Sequence, residues 1–355
     1  MPTLSSPLCP PGPPNCCTIG AFLSREIRVI IVGLGTVGTA LARRIRSERY
    51  GDDIRVVAAV DSKSAAVDDG GLDLRKVLLR KRRTGMVGDD TEHPEPLAVI
   101  REIDAHVLVE LTPSNPVNAE PALSHISAAL ASGKDVVTAN KMSLALCYRQ
   151  LLADAKRRGR ALRYGACVGG GLPVTDLGEL IALADEVTAI DGVLNTTSNF
   201  ILSEMEERRV EFESTLSEAK RLGYAEADPG LDIDGVDSAC KIVILANHVL
   251  GKSFTLESVR PLEGIRGIAQ ARMEKARRKG RRLRMVASAA DGVSVRVEEL
   301  PEADSLCVRG TDNAVRFDCR LSGPRVIEGP AGGGAATSTA VLRDLLAIRK
   351  LRFGG

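Results

Sequence analysis

A run of acidic residues that ends in a lysine has residue types that could bind an ammonium group and contact a substrate oxygen. The run, residues 224–241, contains Glu226, Asp228, Asp232, Asp234, Asp237 and Lys241. Beyond Asp237, apolar residues recur at helical spacing, which predicts a helix over 237–250 and makes Asp237 and Lys241 neighbours on one helical face. A lysine kept charged by carboxylates can be aimed at a substrate oxygen, and the acids can bind an ammonium group. The alternative is a solvated, capped start of a helix.

A second group of residues has the spacing of a nucleotide-binding turn. Gly33, Gly35 and Gly38 form G-x-G-x-x-G between a predicted strand and a predicted helix that begins near Thr36 and Val37. The first glycine permits the tight turn, the second lets the backbone approach a pyrophosphate, and the third lets helix and strand pack closely. The helix N-terminus attracts the phosphates. This context predicts a dinucleotide site.

Alternating strands and helices predict a doubly wound parallel sheet for the first half of the chain. The predicted strands are 27–32, 54–60, 106–110, 135–137 and 161–165, with helices at 118–132 and 144–157. After Gly165 the pattern becomes that of an antiparallel sheet with one exposed face. Its predicted strands are 187–194, 283–289, 293–297 and 314–321, with helices at 213–222, 237–250 and 267–279. A final helix over 337–349 is expected to pack back on the first domain.

The composition excludes several classes of function. The chain has 355 residues, a net charge of +2, no tryptophan and few aromatic residues, which argues against a nucleic-acid or membrane partner. Two basic stretches, 75–83 and 272–284, could form an anionic-surface patch, but solvated helix faces are the preferred interpretation. The first could also reach a cofactor phosphate. No apolar run is long enough to span a bilayer.

The cysteines and the N-terminus both indicate a reducing, cytoplasmic location. The eight cysteines form no CxxC pair, and the four histidines are dispersed, so neither a disulfide framework nor a zinc site is expected. Residues 1–25 are rich in proline and lack the charged and apolar regions of a signal peptide. They are predicted to be a disordered leader or to follow an upstream start codon.

The acidic run also resembles the signature of the homoserine dehydrogenase family. That signature has Asp-Pro, then Asp, then Gly-x-Asp, and a lysine four residues later. Its counterparts here are Asp228-Pro229, Asp232, Gly235, Asp237 and Lys241. The resemblance extends from Ile27 to the C-terminus. It implies an α/β fold: a Rossmann-type doubly wound parallel sheet plus an α+β catalytic and dimerisation domain with a mainly antiparallel sheet. The expected divisions are 26–165, 166–330 and a returning helix in 331–355.

The resemblance implies NAD(P)-dependent interconversion of L-homoserine and L-aspartate 4-semialdehyde, a step in threonine, methionine and isoleucine biosynthesis. Lys241 and Lys141 are then the catalytic candidates that bracket the reacting oxygen. Asp237 would orient Lys241, stabilise its charge or pass protons through a water. Glu226 would bind the substrate ammonium, and Asp232 and Thr197 would lie near the substrate. In the segment that contains Thr197, Thr196 stands where the family has glycine, and Ser198 where it has threonine.

The implied cofactor is NADP or NAD. Beside the motif residues Gly33, Gly35, Thr36, Val37 and Gly38, the resemblance implies cofactor contacts at Thr112, Lys141 and Gly333. Asp61 ends the second strand and could accept hydrogen bonds from the ribose of NAD. Lys63 could pair with the 2′-phosphate of NADP. These two signals conflict, so the choice between the cofactors stays open.

A glycine-rich turn in 164–173 resembles the family's sodium-binding turn. Its ligands would be the main-chain carbonyls of Gly165, Val168, Gly170 and Leu172, although Gly165 stands where the family usually has glutamate. A hinge between domains is the equal alternative for this turn. The resemblance also implies a homodimer through the antiparallel sheet, and a short form without the C-terminal regulatory domain of many relatives.

Two rival functions remain at this level. One is a related amino-acid or semialdehyde oxidoreductase on the same scaffold, whose acidic loop accepts a different amine. The other is a non-catalytic NADP-binding regulator. It is suggested by Thr196, Gly165 and the basic stretch 75–83, and disfavoured because both lysines and the acids around them are present.

Overall fold

The computed structural model describes residues 26–47, 50–88, 95–226 and 228–354, and the predicted leader 1–25 lies outside them. Two six-stranded sheets organise these residues. Within the described part of the chain, no helix has the length and apolar character required to cross a bilayer.

The first sheet has the strand order β3-β2-β1-β4-β5-β6 and is parallel except for β3. Its strands are β1 (Ile27–Val32), β2 (Ile54–Val60), β3 (Ala65–Val67), β4 (Val107–Glu110), β5 (Asp135–Thr138) and β6 (Leu162–Arg163). Its helices are α1 (Thr36–Ile45), α2 (Leu74–Thr84), α3 (Pro96–Glu102), α4 (Ala122–Ala131) and α5 (Lys141–Arg158). The central strands are buried on both faces, as the apolar runs predict.

The second sheet has the order β12-β11-β7-β9-β10-β8 and is antiparallel except where β8 joins β10. Its strands are β7 (Val187–Val193), β8 (Val259–Leu262), β9 (Arg281–Ala289), β10 (Val293–Pro301), β11 (Asp312–Cys319) and β12 (Gly323–Pro330). The helices of this part are α6 (Val174–Ala182), α7 (Thr196–Arg208), α8 (Phe212–Leu222), α9 (Gly230–Ile233), α10 (Val236–Val249) and α11 (Gln270–Arg278).

Helix α10 joins the two halves of the molecule. Its apolar residues Ile242, Val243, Ile244 and Leu245 are fully buried. The helix packs against α5 of the first half and against β9 of the second sheet. The start of α10 lies beside the N-terminus of α5. The two candidate lysines, Lys141 of α5 and Lys241 of α10, are therefore close together.

The last helix, α12 (Gly334–Phe353), packs against α1. Val341, Leu345 and Ile348 share a buried cluster with residues of β1 and β2. The end of the chain thus packs beside the first sheet, and the glycine-rich turn before α12 lies against the start of α1.

The predicted fold class is confirmed, while several elements differ from the sequence-based expectation. Helices α3, α6, α7 and α9 and strands β3, β8 and β12 were not predicted. The strand expected over 161–165 is only Leu162–Arg163, because the chain turns at once into a short 3-10 helix, Gly165–Cys167. The helix expected over 118–132 starts later, at Ala122.

Candidate active site

Asp237 lies in the first turn of α10, between the two candidate lysines. The Lys241 Nζ atom is 2.7 Å from Asp237 Oδ2, and Lys141 Nζ is 3.3 Å from Asp237 Oδ1. Lys241 reaches Asp237 from the next turn of the same helix, whereas Lys141 is the first residue of α5. Lys241 also donates to the Leu194 carbonyl oxygen at 2.5 Å. The two lysines, which are far apart in the sequence, thus share one carboxylate.

The electrostatics of this group favour the charged forms of Asp237 and Lys141. Burial alone would raise the pKa of Asp237, but the ammonium groups of Lys241 and Lys141 and hydrogen bonds from Lys241 and Asn195 bring it far below its ordinary value. For Lys141 the charge of Asp237 outweighs the effect of burial, and the pKa of the ammonium group is raised. At neutral pH the group therefore holds a carboxylate and a protonated Lys141.

Asn195 joins this group to the acidic loop. It caps α7 by accepting from the Ser198 amide at 2.8 Å, which fixes its side chain. Its Nδ2 donates to Asp232 Oδ1 at 2.7 Å and to Asp237 Oδ2 at 2.9 Å. Thr197 Oγ1 is 3.0 Å from Asp232 Oδ2 and 2.7 Å from the Tyr224 carbonyl oxygen. Asp232 is therefore held by Asn195, the cap of α7, while Thr197 in the first turn lies beside its other oxygen.

One cavity of about 570 Å³ collects residues from both halves of the molecule. From the predicted sets, its lining includes Val37, Thr112, Lys141, Gly170, Thr197, Asp232, Asp237, Lys241 and Gly333. Glu226 is exposed and is not part of that lining. The predicted catalytic residues and several predicted cofactor contacts therefore face the same space.

The glycine turn after β1 fits a dinucleotide. Gly33 has φ +100°, and a Cβ atom there would lie 2.6 Å from the Leu111 carbonyl oxygen. A Cβ atom on Gly38 would overlap the Gly33 carbonyl oxygen. On Gly35, by contrast, a Cβ atom would meet no described atom within 4 Å, so this backbone is open to a ligand. No side chain caps the N-terminus of α1 at Gly35, which leaves amide groups that can bind a pyrophosphate.

Asp61, at the end of β2, already forms an ion pair with a lysine. Its carboxylate forms an ion pair with Lys81 of α2 and accepts from the backbone amides of Lys63 and Ser64 at 2.8 and 2.9 Å. Burial would raise the pKa of Asp61, but the hydrogen bond from Lys81 and those from the amides lower it. The Lys63 side chain is exposed nearby. Lys81 was not among the predicted contacts, although it lies in the basic stretch 75–83.

The predicted sodium-binding residues lie in one turn between β6 and α6. Gly169 and Gly170 have φ of +75° and +57°, and the Leu172 carbonyl accepts from the Val174 amide at 2.9 Å. The Gly165 amide donates to the buried Asp344 at 2.8 Å. Among the described residues, no group of three or more His, Cys, Asp or Glu side chains comes together as a metal site. The sodium ligands stay a prediction based on main-chain carbonyls.

Sequence reasoning missed several residues that shape the cavity. Asn195 and Asn313 both line it, and Thr196 Oγ1 is 3.3 Å from Asn313 Oδ1. Asparagine is a favoured N-cap residue, so the sequence could have marked Asn195 as a helix start, although not its contacts with Asp232 and Asp237. Asn313 lies at the start of β11, and only the folded chain brings it to the site. Thr196 is the first residue of α7, and it is absent from the described residues with positive φ, so its backbone has no strain of that kind.

Comparison with known proteins places these features in one family. A family model described as homoserine dehydrogenase matches residues 173–346, and one described as the homoserine dehydrogenase NAD-binding domain matches residues 33–165. The homoserine dehydrogenase of Methanocaldococcus jannaschii is 39% identical over 330 residues, which cover 90% of this chain and 98% of that protein. The chain belongs to the homoserine dehydrogenase family.

Other members of the homoserine dehydrogenase family are similar along nearly the same length. An NAD(+)-dependent homoserine dehydrogenase of Pseudomonas canavaninivorans is 35% identical and covers 92% of this chain, with 97% of its own length aligned. The structure of a hyperthermophilic archaeal homoserine dehydrogenase in complex with NADPH has a TM-score of 0.81 and 29% identity, covering 92% of this chain and 98% of that one. The structure of a homoserine dehydrogenase from Thiobacillus denitrificans has a TM-score of 0.79 and 32% identity, covering 92% and 74%.

Proposed function

We propose that, in this NAD(P)-dependent homoserine dehydrogenase, Lys241 and Lys141 bracket the reacting oxygen. The observation that carries the proposal is the shared Asp237 carboxylate at the wall of the common cavity. Carbonyl reduction needs a cation that stabilises the developing negative charge on oxygen and a group that supplies a proton. A pair of lysines on one carboxylate meets both needs.

The nicotinamide, when bound, supplies or accepts the hydride. The turn of Gly33, Gly35 and Gly38 with the N-terminus of α1 would hold its pyrophosphate, and Thr112 and Gly333 line the cavity where the ring would lie. Family membership and the 33–165 match support NAD or NADP as the cofactor.

The lysines differ in how firmly they are held. Two of the three N–H groups of Lys241 donate to Leu194 and Asp237, and the third can donate to a substrate oxygen. Lys141 contacts Asp237 at the longer distance of 3.3 Å. Asp237 serves both, since its charge keeps Lys141 protonated and its position fixes the direction of Lys241. Either ammonium group can donate the proton in the reducing direction.

The substrate ammonium group needs an acid that faces the cavity. Asp232 lies in the wall, with both oxygens aligned by Asn195 and Thr197, and Glu226 lies just before the turn in the same loop. We expect Asp232→Asn to raise the KM for L-homoserine about tenfold or more, because a hydrogen bond to a charged group is lost. Glu226→Gln, measured in parallel, shows how much Glu226 contributes to binding of the substrate ammonium group. Equal KM values for wild type and both variants would exclude this arrangement.

Three further properties belong to this proposal. Sodium would bind to the carbonyls of Gly165, Val168, Gly170 and Leu172, and activity in sodium chloride compared with choline chloride tests this.

A homodimer through the second sheet is supported by β12, an edge strand exposed along most of its length, since edge strands require a partner or protection. Light scattering of the purified protein measures it. A reducing, cytoplasmic compartment fits the five free cysteines among the described residues.

The deciding experiment is the initial rate of NAD+ and NADP+ reduction with L-homoserine, with threonine, serine and aspartate as control substrates. Turnover restricted to homoserine supports the proposal, and the ratio of the two cofactors measures the preference. Turnover with another amine instead would assign the chain to a related oxidoreductase. Cofactor binding without turnover on any substrate would assign it to the regulator.

A further inference from the structure

Behind Thr112 lies a buried carboxylate that has no assigned role. Glu110 is the last residue of β4 and is fully buried. Its Oε1 accepts from the Thr112 amide at 2.7 Å and from the Thr112 hydroxyl. Its Oε2 is 2.6 Å from Nδ1 of His125, a residue of α4 that is also buried. A buried carboxyl group is costly unless its oxygens are satisfied, and here the Thr112 amide and hydroxyl donate to one oxygen while the His125 ring nitrogen contacts the other.

The same turn is held from the neighbouring strand. Asn140 follows β5, and its Nδ2 is 3.3 Å from the carbonyl oxygens of both Thr112 and Pro113. Its Oδ1 accepts from the Ser143 amide at 3.2 Å and so caps α5, whose first residue is Lys141. One asparagine therefore connects the turn after β4 to the helix that presents a candidate catalytic lysine.

The turn also forms part of the nucleotide-binding edge. A Cβ atom on Gly33 would lie 2.6 Å from the Leu111 carbonyl carbon and 2.9 Å from the Thr112 nitrogen, so the 111–112 peptide packs directly on the glycine turn. Leu111 and Thr112 both line the common cavity. A small shift of this peptide would change both the wall of the cavity and the position of Gly33.

We propose that Glu110 and Asn140 are positioning residues that hold the 111–113 turn in the shape that receives the cofactor and align it with Lys141. Neither residue is among those that line the cavity, so both act through others: Glu110 through Thr112, and Asn140 through the turn and the cap of α5. Like any statement about the cofactor, this inference rests on the proposed function. It adds buried determinants of cofactor affinity to that function.

The test measures the dissociation constant of NADPH by fluorescence, without substrate, in a double-mutant cycle of Glu110→Leu and Thr112→Val. Glu110→Leu is expected to weaken binding about tenfold to hundredfold, the range for a lost hydrogen bond to a charged group. In the Thr112→Val background the same change is expected to weaken binding less than threefold, because part of its target is already gone. Glu110→Gln is expected to remain within about threefold of wild type. Its amide oxygen can still accept from Thr112, while His125 can present an unprotonated Nδ1.

A matched control separates positioning from general destabilisation. Asp135 is a buried carboxylate at the opposite end of β5, paired with Arg352. Asp135→Leu is expected to lower the melting temperature without changing the NADPH dissociation constant. If Glu110→Leu does not fold, Asn140→Ser replaces it, since serine caps a helix but is too short to reach the Thr112 carbonyl. We then expect binding about threefold weaker.

Two results would overturn the inference: a folded Glu110→Leu variant, or the substitute Asn140→Ser, that binds NADPH within twofold of wild type, or equal effects of Glu110→Leu in both backgrounds. A wild-type protein that binds neither NADPH nor NADH would instead overturn the proposed function, so the two failures are distinguishable.

Discussion

The nucleotide-binding turn and the lysine–carboxylate group line one cavity but are built in opposite ways. The turn depends on missing side chains, since a Cβ atom on Gly33 or Gly38 would collide with backbone. The group depends on charges, with Lys141 supplied by α5 and Asp237 and Lys241 by α10. Substitutions in the turn should therefore act through shape and cofactor binding. Substitutions in the group should act through charge and turnover.

The largest expected effect is on the charged side of this comparison. Lys241→Met keeps the length of the side chain but removes the cation, so kcat should fall about 10² to 10⁴-fold, the range for loss of a proton-transfer group. The NADPH dissociation constant should stay within about twofold. Lys252→Met, which changes a lysine paired with the exposed Asp291, is the control and should leave kcat unchanged. Near-normal kcat in Lys241→Met would remove this lysine from the reaction.

The next effect is on the shape side. Gly38→Ala should both weaken NADPH binding at least tenfold and lower the free energy of unfolding by about 1–3 kcal/mol, because its Cβ atom overlaps the Gly33 carbonyl oxygen. Gly35→Ala should weaken binding with little change in stability, since no described atom lies within 4 Å of the added Cβ atom. Gly292→Ala has equal space in a distant hairpin, and there both quantities should stay at wild-type values. Unchanged cofactor affinity in Gly35→Ala would place the pyrophosphate elsewhere.

The smallest effect concerns the preference between NAD+ and NADP+. Lys81→Met removes the partner of Asp61 and a cation near Lys63. Asp61 can then accept from the ribose hydroxyls of NAD and repel a 2′-phosphate, so the ratio of kcat/KM for NAD+ over NADP+ should rise about tenfold. Lys76→Met, on the same helix and largely exposed, is the control. A ratio that stays constant, or falls, would show that Asp61 does not bind the ribose hydroxyls.

The same comparison explains what the sequence could predict. The glycine turn, β1 and α1 were predictable because their signal is contained in neighbouring residues. The pairing of Asp237 with Lys241 was predictable from helical spacing, and family resemblance added Lys141. The contacts of Asn195, Asn313 and Glu110 were not, since each depends on partners distant in the chain.

The missed elements have physical causes of the same kind. Helix α7 begins with Thr196, Thr197 and Ser198, which favour turns in isolation, and it is stabilised by burial and by the Asn195 cap. Strand β12 starts with Gly-Pro and ends with Gly-Pro, which reads as a turn, yet proline is tolerated in an edge strand. In both cases tertiary context outweighs local preference.

The central claim is that Asp237 keeps Lys141 charged beside Lys241, and the pH–rate profile of semialdehyde reduction in Asp237→Asn tests it most directly. The charge of Asp237 is the largest cause of the raised pKa of Lys141, so its removal lowers that pKa. The proposed reduction needs Lys141 protonated together with Lys241, since one ammonium group stabilises the oxygen while the other supplies the proton. As the pH rises, the variant should therefore lose activity at a lower pH than wild type does, with NADPH affinity unchanged. An alkaline limb at the wild-type position, or at higher pH, would contradict the account.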